Sequence, residues 1–328
     1  MNKLLSSILI GSAGLLLAGL TQTVTAEPQY TVAGAGKNQT AWFIRYEEGI
    51  LAGAKENGME AVYSAGLTSE PKEQSDILST DISKGVNALL VVPNDAKYLE
   101  EVFRQAREKG IAVVTHESPQ QVNADFDVEM LDNEKFGELM MDEFVKFSRN
   151  KKGKYAIFVG SLTVPAHNIW ADAAIARQKA KYPDLEFIDK FPVSEDAVAS
   201  KKTALELLEK YPDLEGFITM GSAGAPAVSA ALKAKKLKNK KTFVGVTTPK
   251  IARKNLRDGY MDECLLWDPA NAARIQAKIA KLVLSGKADT IKPGFTLEGF
   301  GAPRIDGNTL IFNLPLLVTK DNVEENLF

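Results

Sequence analysis

Short runs of apolar residues alternate along most of the chain with longer segments in which apolar residues recur every three or four positions. The short runs predict buried strands, and the longer segments predict amphipathic helices. The predicted strands are 30–35, 61–65, 88–92, 111–115, 155–160, 187–191, 216–220, 243–247 and 263–267. The clearest predicted helices are 42–57, 74–84, 98–109, 135–148, 171–182 and 201–211. This alternation predicts an α/β fold of doubly wound parallel sheets, covered by helices on both faces.

The order of these elements predicts two sheets and therefore two lobes. An extended run at 126–131 follows a predicted strand without an intervening helix, and Asp132-Asn133 then offers helix N-cap residues for a new series. After Trp267 one helix is followed by short runs punctuated by glycine and proline, a pattern typical of a tail that crosses back between lobes. We expect a first lobe of 27–131 plus 268–300 and a second lobe of 132–267 plus 301–328.

The first 26 residues differ in composition from the rest of the chain. A short positive start, Met1-Asn2-Lys3, precedes an almost wholly apolar stretch at 4–20 and small residues at Val24-Thr25-Ala26. This layout is typical of a secretory signal peptide. A membrane anchor is the alternative, but it needs about 20 apolar residues. The polar residues that follow the stretch favour cleavage, so we predict a signal peptide over 1–26.

Composition and charge exclude several classes of protein. The chain has 40 Lys+Arg and 42 Asp+Glu, a net charge of -2, which gives no electrostatic reason to expect nucleic-acid binding. One cysteine, Cys264, cannot form a disulfide within the chain, and two histidines are too few for a His-cluster metal centre. We expect no metal and no cofactor.

Catalytic motifs are absent or incomplete. Gly34-Ala35-Gly36 resembles the start of a dinucleotide-binding loop, but Gln39 stands where the third glycine of that fingerprint would fall. The chain has no phosphate-binding Gly-x-x-x-x-Gly-Lys stretch, and Gly160-Ser161 lacks the flanking pattern of a nucleophile elbow. A secreted enzyme acting on a sugar is therefore the weaker hypothesis.

The unusual side chains lie where predicted strands end. Ligands of open parallel sheets bind beyond the carboxyl ends of the strands, and all three tryptophans and both histidines fall on such exits. Aromatic faces match the C–H faces of a sugar ring, and polar side chains supply donors and acceptors for its hydroxyls. The candidate ligand-binding residues are Lys37, Asn38, Trp42, Phe43, Glu117, His167, Asn168, Ser222, Thr247, Trp267 and Asp268.

Each candidate also has a structural explanation. A single tryptophan after a strand is more often part of the core, and either His116 or His167 alone would more often be a structural side chain. Ser222 and Thr247 have the side chains of helix N-caps. If both histidines line the cleft, we expect ligand affinity to change between about pH 5.5 and 7.5, where imidazole titrates.

Several motifs resemble those of type I periplasmic solute-binding proteins of sugar ABC importers, in the rhamnose and autoinducer-2 branch. The similar stretches are 37–43, Asp132-Asn133, 244–249, Leu266-Trp267-Asp268 and 318–328. The resemblance implies a periplasmic protein whose two lobes are joined by a three-strand hinge and close on a carbohydrate. It also implies a membrane ABC permease as partner. It places Lys37, Trp42, Phe43 and Glu117 in the first lobe's wall, His167, Asn168, Met220, Ser222 and Thr247 in the second, and Trp267 and Asp268 at a hinge crossing.

The chain departs from the members of this branch that hold autoinducer-2. These use a lysine, an aspartate, an Asp-Gln pair and a Pro-x-Ala turn. Lys37 agrees, but the aspartate is Glu117, the pair is Ala166-His167 and the turn is Met220-Gly221-Ser222. A pentose, deoxyhexose or related polyol is therefore the expected ligand. The alternatives are autoinducer-2, and a signalling role with a chemoreceptor or sensor kinase as partner.

Overall fold

A computed structural model of the protein describes residues 30–119 and 121–328, so the predicted signal peptide lies outside the described residues. The first lobe begins with five parallel strands and the three helices between them. The strands are β1 (Thr31–Gly36), β2 (Glu60–Ala65), β3 (Ala88–Val91), β4 (Ala112–His116) and β5 (Phe126–Glu129). The helices are α1 (Ala41–Glu56), α2 (Pro71–Ser83) and α3 (Ala96–Glu108). Strands β3 and β4 are buried along their whole length, which explains their continuous apolar sequences.

The second lobe repeats this plan. Its strands are β6 (Gly153–Val159), β7 (Leu185–Pro192), β8 (Leu214–Thr219), β9 (Thr242–Gly245) and β10 (Glu263–Leu266). Its helices are α4 (Asn133–Phe147), α5 (Pro165–Lys181), α6 (Ala197–Lys210), α7 (Gly224–Ala234) and α8 (Pro249–Asp258). The chain then forms α9 (Pro269–Leu284), β11 (Arg304–Asp306), β12 (Thr309–Ile311) and β13 (Leu316–Val318), with 3-10 turns at Ala288–Thr290 and Val323–Glu325. None of the helices in the described residues is long and apolar enough to span a bilayer.

The strand order places β1 and β6 second from one edge of their sheets. The first sheet runs β2-β1-β3-β4-β5, and the second runs β7-β6-β8-β9-β10, in parallel. The order therefore reverses next to β1 in one lobe and next to β6 in the other. Such a switch point leaves a crevice beyond the carboxyl ends of the strands, where ligands of this kind of sheet bind. The two-lobed α/β fold predicted from the sequence is confirmed.

The chain passes between the lobes three times, at 130–132, 267–268 and 312–315. Our expectation that all of 301–328 would lie in the second lobe is wrong for 304–311, which precede the third crossing. Strand β12 pairs in parallel with β5, and β11 pairs with β12, so both complete the first sheet, and only β13 joins the second. The backbone nitrogens of Phe312 and Leu314 donate to the carbonyls of Glu129 and Met130, at 2.7 and 2.8 Å, which keeps the third crossing beside the first. Of the short apolar runs expected after Trp267, the one at 295–297 forms only an isolated bridge, between Leu297 and Gly301.

Several helices begin earlier than their apolar pattern predicted. Pro71 and Pro165 occupy the first turns of α2 and α5, where the missing N–H of proline has no cost. Asp95 and Asp196 accept hydrogen bonds from backbone nitrogens at the starts of α3 and α6. Capping residues and prolines mark these starts, and apolar periodicity does not record them, so periodicity alone placed the helix starts too late.

A glycine brings two helices into backbone contact in each lobe. A Cβ added to Gly49 of α1 would overlap the backbone of Ala270 in α9, and one added to Gly137 of α4 would overlap the carbonyl of Trp170 in α5. These contacts set the positions of α1 and α5, which carry Trp42 and His167 toward the space between the lobes.

We expect Gly49→Ala to lower the free energy of unfolding by about 1–3 kcal/mol, because the added methyl group overpacks the contact with α9. Urea denaturation measures the change. Leu51→Ala on the same helix is the control, since Leu51 is 45% exposed and its change should stay near 0.5 kcal/mol. Wild-type stability of Gly49→Ala would show that the helices do not meet at this residue.

Candidate functional site

Two connected depressions lie between the lobes and share Glu195. The outer one, a mouth with a cavity volume of about 630 Å³, is bordered by 67–71 of the first lobe and by 160–164 and 192–197 of the second. The inner one is a narrow space with a cavity volume of about 10 Å³. The residues around the inner space are Lys37, Trp42, Phe43, Glu117, His167, Glu195, Met220, Ser222 and Val246.

A buried ion pair forms the first lobe's side of the inner space. Lys37 follows β1, and its Nζ lies 2.8 Å from Oε2 of Glu117, which follows β4. Both side chains are almost fully buried. Glu117 has a φ of 59°, in the left-handed region, which costs a non-glycine residue about 1–3 kcal/mol. The strained backbone turns the carboxylate of Glu117 toward Lys37.

The charge of Lys37 is stabilised from both lobes. Burial alone would lower its pKa, but the nearby carboxylates of Glu117 and Glu195 outweigh burial and raise the pKa above its ordinary value. Lys37 therefore remains a charged hydrogen-bond donor at neutral pH.

His167 supplies a neutral donor from the second lobe. Its Nδ1 accepts a hydrogen bond from the backbone nitrogen of Gly160 at 3.1 Å, which assigns the ring proton to Nε2. Nε2 lies 4.0 Å from Oε1 of Glu195. Burial, with the charge of Lys37 as the second cause, holds the pKa of His167 well below its ordinary value.

Glu195 connects the lobes, and our sequence analysis did not identify it. Its Oε2 accepts hydrogen bonds from Asn38 Nδ2 at 2.6 Å and from Ser69 Oγ at 3.1 Å, both in the first lobe. Its Oε1 lies 4.0 Å from Nζ of Lys37. Burial raises the pKa of Glu195, while the charge of Lys37 and these donors oppose that rise. The available signal was Ser194-Glu195-Asp196, which follows a predicted strand as the other candidates do.

Two further carboxyl groups lie buried on the same face of β5. Asp127 Oδ1 accepts a hydrogen bond from Thr115 Oγ1 at 2.7 Å. Burial raises the pKa of Asp127 to about 6, and burial, with the charge of Asp127 as the second cause, raises the pKa of Glu129 well above its ordinary value. Both shifts favour the protonated forms of these two groups, whereas Glu117 and Glu195 are the carboxyl groups that form ion pairs with Lys37. No group of His, Cys, Asp and Glu in residues 30–119 and 121–328 has the arrangement of a metal site.

The aromatic side chains form a cluster that extends from the inner space into the hinge. Trp42 stacks with His116 at a centroid distance of 6.0 Å, and Trp267 lies edge-on to Trp42 at 6.1 Å and to Trp170 at 5.6 Å. Trp267 Nε1 donates to His116 Nε2 at 3.0 Å, and His116 Nδ1 bonds the carbonyl of Val128 at 2.5 Å. Only Trp42 of the three tryptophans borders the inner space; the other two lie behind it.

Comparison with known proteins assigns this architecture to a family. The sequence profile described as "Periplasmic binding protein domain" matches residues 31–288. The chain belongs to this family.

Individual relatives are distant in sequence and similar in fold. The ribose import binding protein RbsB of Bacillus subtilis is 24% identical over 247 residues, covering 75% of this chain and 78% of that protein. The solved structure of LsrB from Clostridium saccharobutylicum in complex with AI-2 has a TM-score of 0.84 at 20% identity, covering 91% of this chain and all of that one. A solute-binding protein from Clostridium phytofermentas with bound L-rhamnose has a TM-score of 0.82 at 20% identity, covering 90% and 98%.

In this periplasmic binding protein, six of the residues expected at the site border the inner space. They are Lys37, Trp42, Phe43, Glu117, His167 and Ser222. Asn38 lies just outside, where it bridges Ser69 and Glu195. Ser222 also contacts Thr40 across the cleft, with 3.1 Å between the hydroxyl oxygens.

Four expected residues lie outside the wall of the inner space. Asn168 donates to the carbonyls of Ser161 and Val164 in its own loop and helix, because it follows His167 on a different face of α5. Thr247 is buried, and its carbonyl accepts from the thiol of Cys264, while Val246 takes its place in the wall. The other two, Trp267 and Asp268, bond other protein groups in the hinge region.

Trp267 belongs to the hinge cluster, since its indole nitrogen is bonded to His116. Asp268 caps α9 and binds the guanidinium of Arg45 through both carboxylate oxygens, at 3.0 and 2.9 Å, on the outer side of the hinge. The condition that both histidines line the cleft is not met, because His116 is fully buried within the cluster.

We expect both histidines to titrate below the usual imidazole pKa of about 6.5, because burial lowers the pKa of both His116 and His167. The folded protein then binds fewer protons than the unfolded chain, so its stability falls as the pH drops below about 6.5, the unfolded value. Two-dimensional NMR of the imidazole nitrogens follows both rings, and a His116→Gln variant assigns them. An imidazole with a midpoint near 6.5 would contradict the burial described here.

Proposed function

We propose that this protein captures one small neutral sugar between its lobes in the periplasm and delivers it to a membrane ABC permease. The observation that carries the proposal is the set of fixed polar groups around the inner space. Lys37, Glu117 and His167 offer a charged donor, an acceptor and a neutral donor beside the aromatic side chains of Trp42 and Phe43. An apolar and aromatic lining with a few placed polar groups is typical of small-molecule sites, and these donors and acceptors suit the hydroxyls of a sugar.

The inner space is almost closed in this arrangement of the lobes. Its cavity volume of about 10 Å³ is close to that of a single water molecule, so a ligand enters only when the lobes move apart. The names of the relatives include a pentose, ribose, and a deoxyhexose, L-rhamnose. A pentose, deoxyhexose or related polyol is the ligand that we propose, bound without chemical change.

AI-2 is the second candidate, favoured by the fold similarity to LsrB. His167 and its neighbour Ala166 weigh against it. The branch that holds this molecule has an Asp-Gln pair there, and replacing a ligand carboxylate by alanine leaves a hydroxyl unpaired. A buried polar group without a partner costs about 1–3 kcal/mol, enough to change specificity.

Closure of the cleft follows from contacts that need both lobes. Asn38 and Ser69 reach Glu195, and Thr40 reaches Ser222, so these hydrogen bonds break when the lobes separate about the three crossings. A ligand that touches both walls stabilises the closed arrangement, which is a population shift between open and closed forms. The permease would then recognise surfaces that the two lobes present together.

We expect tryptophan fluorescence of residues 27–328 to change saturably with one sugar of a panel that contains D-ribose, D-xylose, D-arabinose, L-rhamnose and AI-2. Trp42 is the reporter because it borders the inner space, so Trp42→Phe should abolish most of the signal. Trp170→Phe is the matched control, since Trp170 does not border the inner space and its indole nitrogen bonds Asn133. This variant should keep the signal.

A flat fluorescence titration with every sugar, together with an unchanged melting temperature, would overturn the proposed function. A saturable response to AI-2 alone would select the second candidate.

A further inference from the structure

The two carboxylate oxygens of Glu195 have different surroundings. Oε2 is occupied by the two first-lobe donors, Asn38 and Ser69. Oε1 points into the inner space, where it lies 4.0 Å from Nζ of Lys37 and 4.0 Å from Nε2 of His167. Both distances exceed a hydrogen bond. One buried acceptor and two buried donors thus face the same small volume without bonding one another.

The protonation states of the three groups define what an atom bound between them must do. Lys37 is charged and can only donate, and His167 is neutral and donates through Nε2–H. Burial raises the pKa of Glu195, but the charge of Lys37 and the hydrogen bonds from Ser69 and Asn38 oppose that rise and favour the carboxylate, which accepts through Oε1. A bound atom must therefore accept two hydrogen bonds and donate one.

A hydroxyl group meets this requirement, because its oxygen accepts two hydrogen bonds and its proton serves as one donor. A carboxylate or phosphate oxygen has no proton to donate and would be repelled by Glu195. An ammonium group has no lone pair and would be repelled by Lys37. The geometry thus discriminates between neutral, anionic and cationic ligands at one point.

We propose that Glu195 is a specificity-determining residue, whose Oε1 accepts a hydrogen bond from a ligand hydroxyl that also accepts from Lys37 and His167. This restricts the site to neutral hydroxylated ligands and rests on the proposed function. The same carboxylate binds the first lobe through Oε2, so ligand recognition and closure of the cleft depend on one side chain. Its neighbour Asp196 cannot take this part, because it caps α6 through the backbone nitrogens of Val198 and Ala199.

Calorimetric titration of the mature protein tests this role with D-ribose, D-xylose, D-arabinose and L-rhamnose as neutral probes. D-glucuronate is the anionic probe and D-glucosamine the cationic one. We expect wild-type protein to bind a neutral sugar and neither charged probe. Glu195→Gln should lose about 10- to 100-fold in affinity for that sugar, because a hydrogen bond to a charged acceptor is lost. The ratio of the affinities of Glu195→Gln for the neutral sugar and for D-glucuronate should be smaller than in the wild type.

Two further variants keep the test decisive. Glu206→Gln, at an exposed carboxylate of α6 whose nearest cation lies 3.9 Å away, should match wild type. Glu195→Asp keeps the charge but withdraws the oxygen from the inner space, so it should also weaken binding. It provides the test if Glu195→Gln does not fold.

The outcomes separate the two proposals. Wild-type affinity in folded Glu195→Gln and Glu195→Asp, or tight binding of D-glucuronate by the wild type, would overturn the role of Glu195 and leave the proposed function standing. Failure of the wild type to bind any of the neutral probes would overturn both.

Discussion

A lysine ammonium buried between two lobes is the constraint on which the rest of the site depends. A buried charge without partners costs several kcal/mol, and Lys37 is only 1% exposed. Glu117 meets it at 2.8 Å from the same lobe, and Glu195 lies at 4.0 Å in the other. The strained backbone of Glu117 and the loop that carries Glu195 both place carboxylates toward this one cation. Separation of the lobes would leave Lys37 with Glu117 alone.

The hinge explains how two separately packed sheets can hold such a geometry. Trp267, on the second crossing, is bonded to His116 of β4, which in turn is bonded to β5 beside the first crossing. The third crossing is bonded to the first through Phe312 and Leu314. The crossings therefore form one packed unit, and the indoles that the sequence placed near a ligand mostly stiffen this unit. Arg45 and Asp268 add an ion pair on its outer side.

Much of the site was accessible from the sequence because strand exits are easy to locate when strands are buried on both faces. Lys37, Trp42 and Glu117 follow such strands, and the structure brings them together. Glu195 was missed because β7 is only half buried and alternates in polarity, so the loop after β7 was not recognised as part of the site. Asn168 and Asp268 lie outside the wall of the inner space, because contacts at the starts of α5 and α9 turn their side chains toward other partners.

The sequence by itself determined the fold class, the two lobes and the set of loops that contain the site, because burial on both faces of a parallel sheet leaves a local apolar pattern. Only the tertiary structure decided which loop residues face the cleft and where the tail belongs. The short strands β11 and β12 join the first sheet through pairing with β5, a partner distant in sequence. Side-chain direction at the loops is set in the same way, by contacts between residues far apart in the chain, such as Asn38 with Glu195. The local sequence pattern therefore shows which segments are buried, whereas contacts between residues distant in the chain decide which way the loop side chains point.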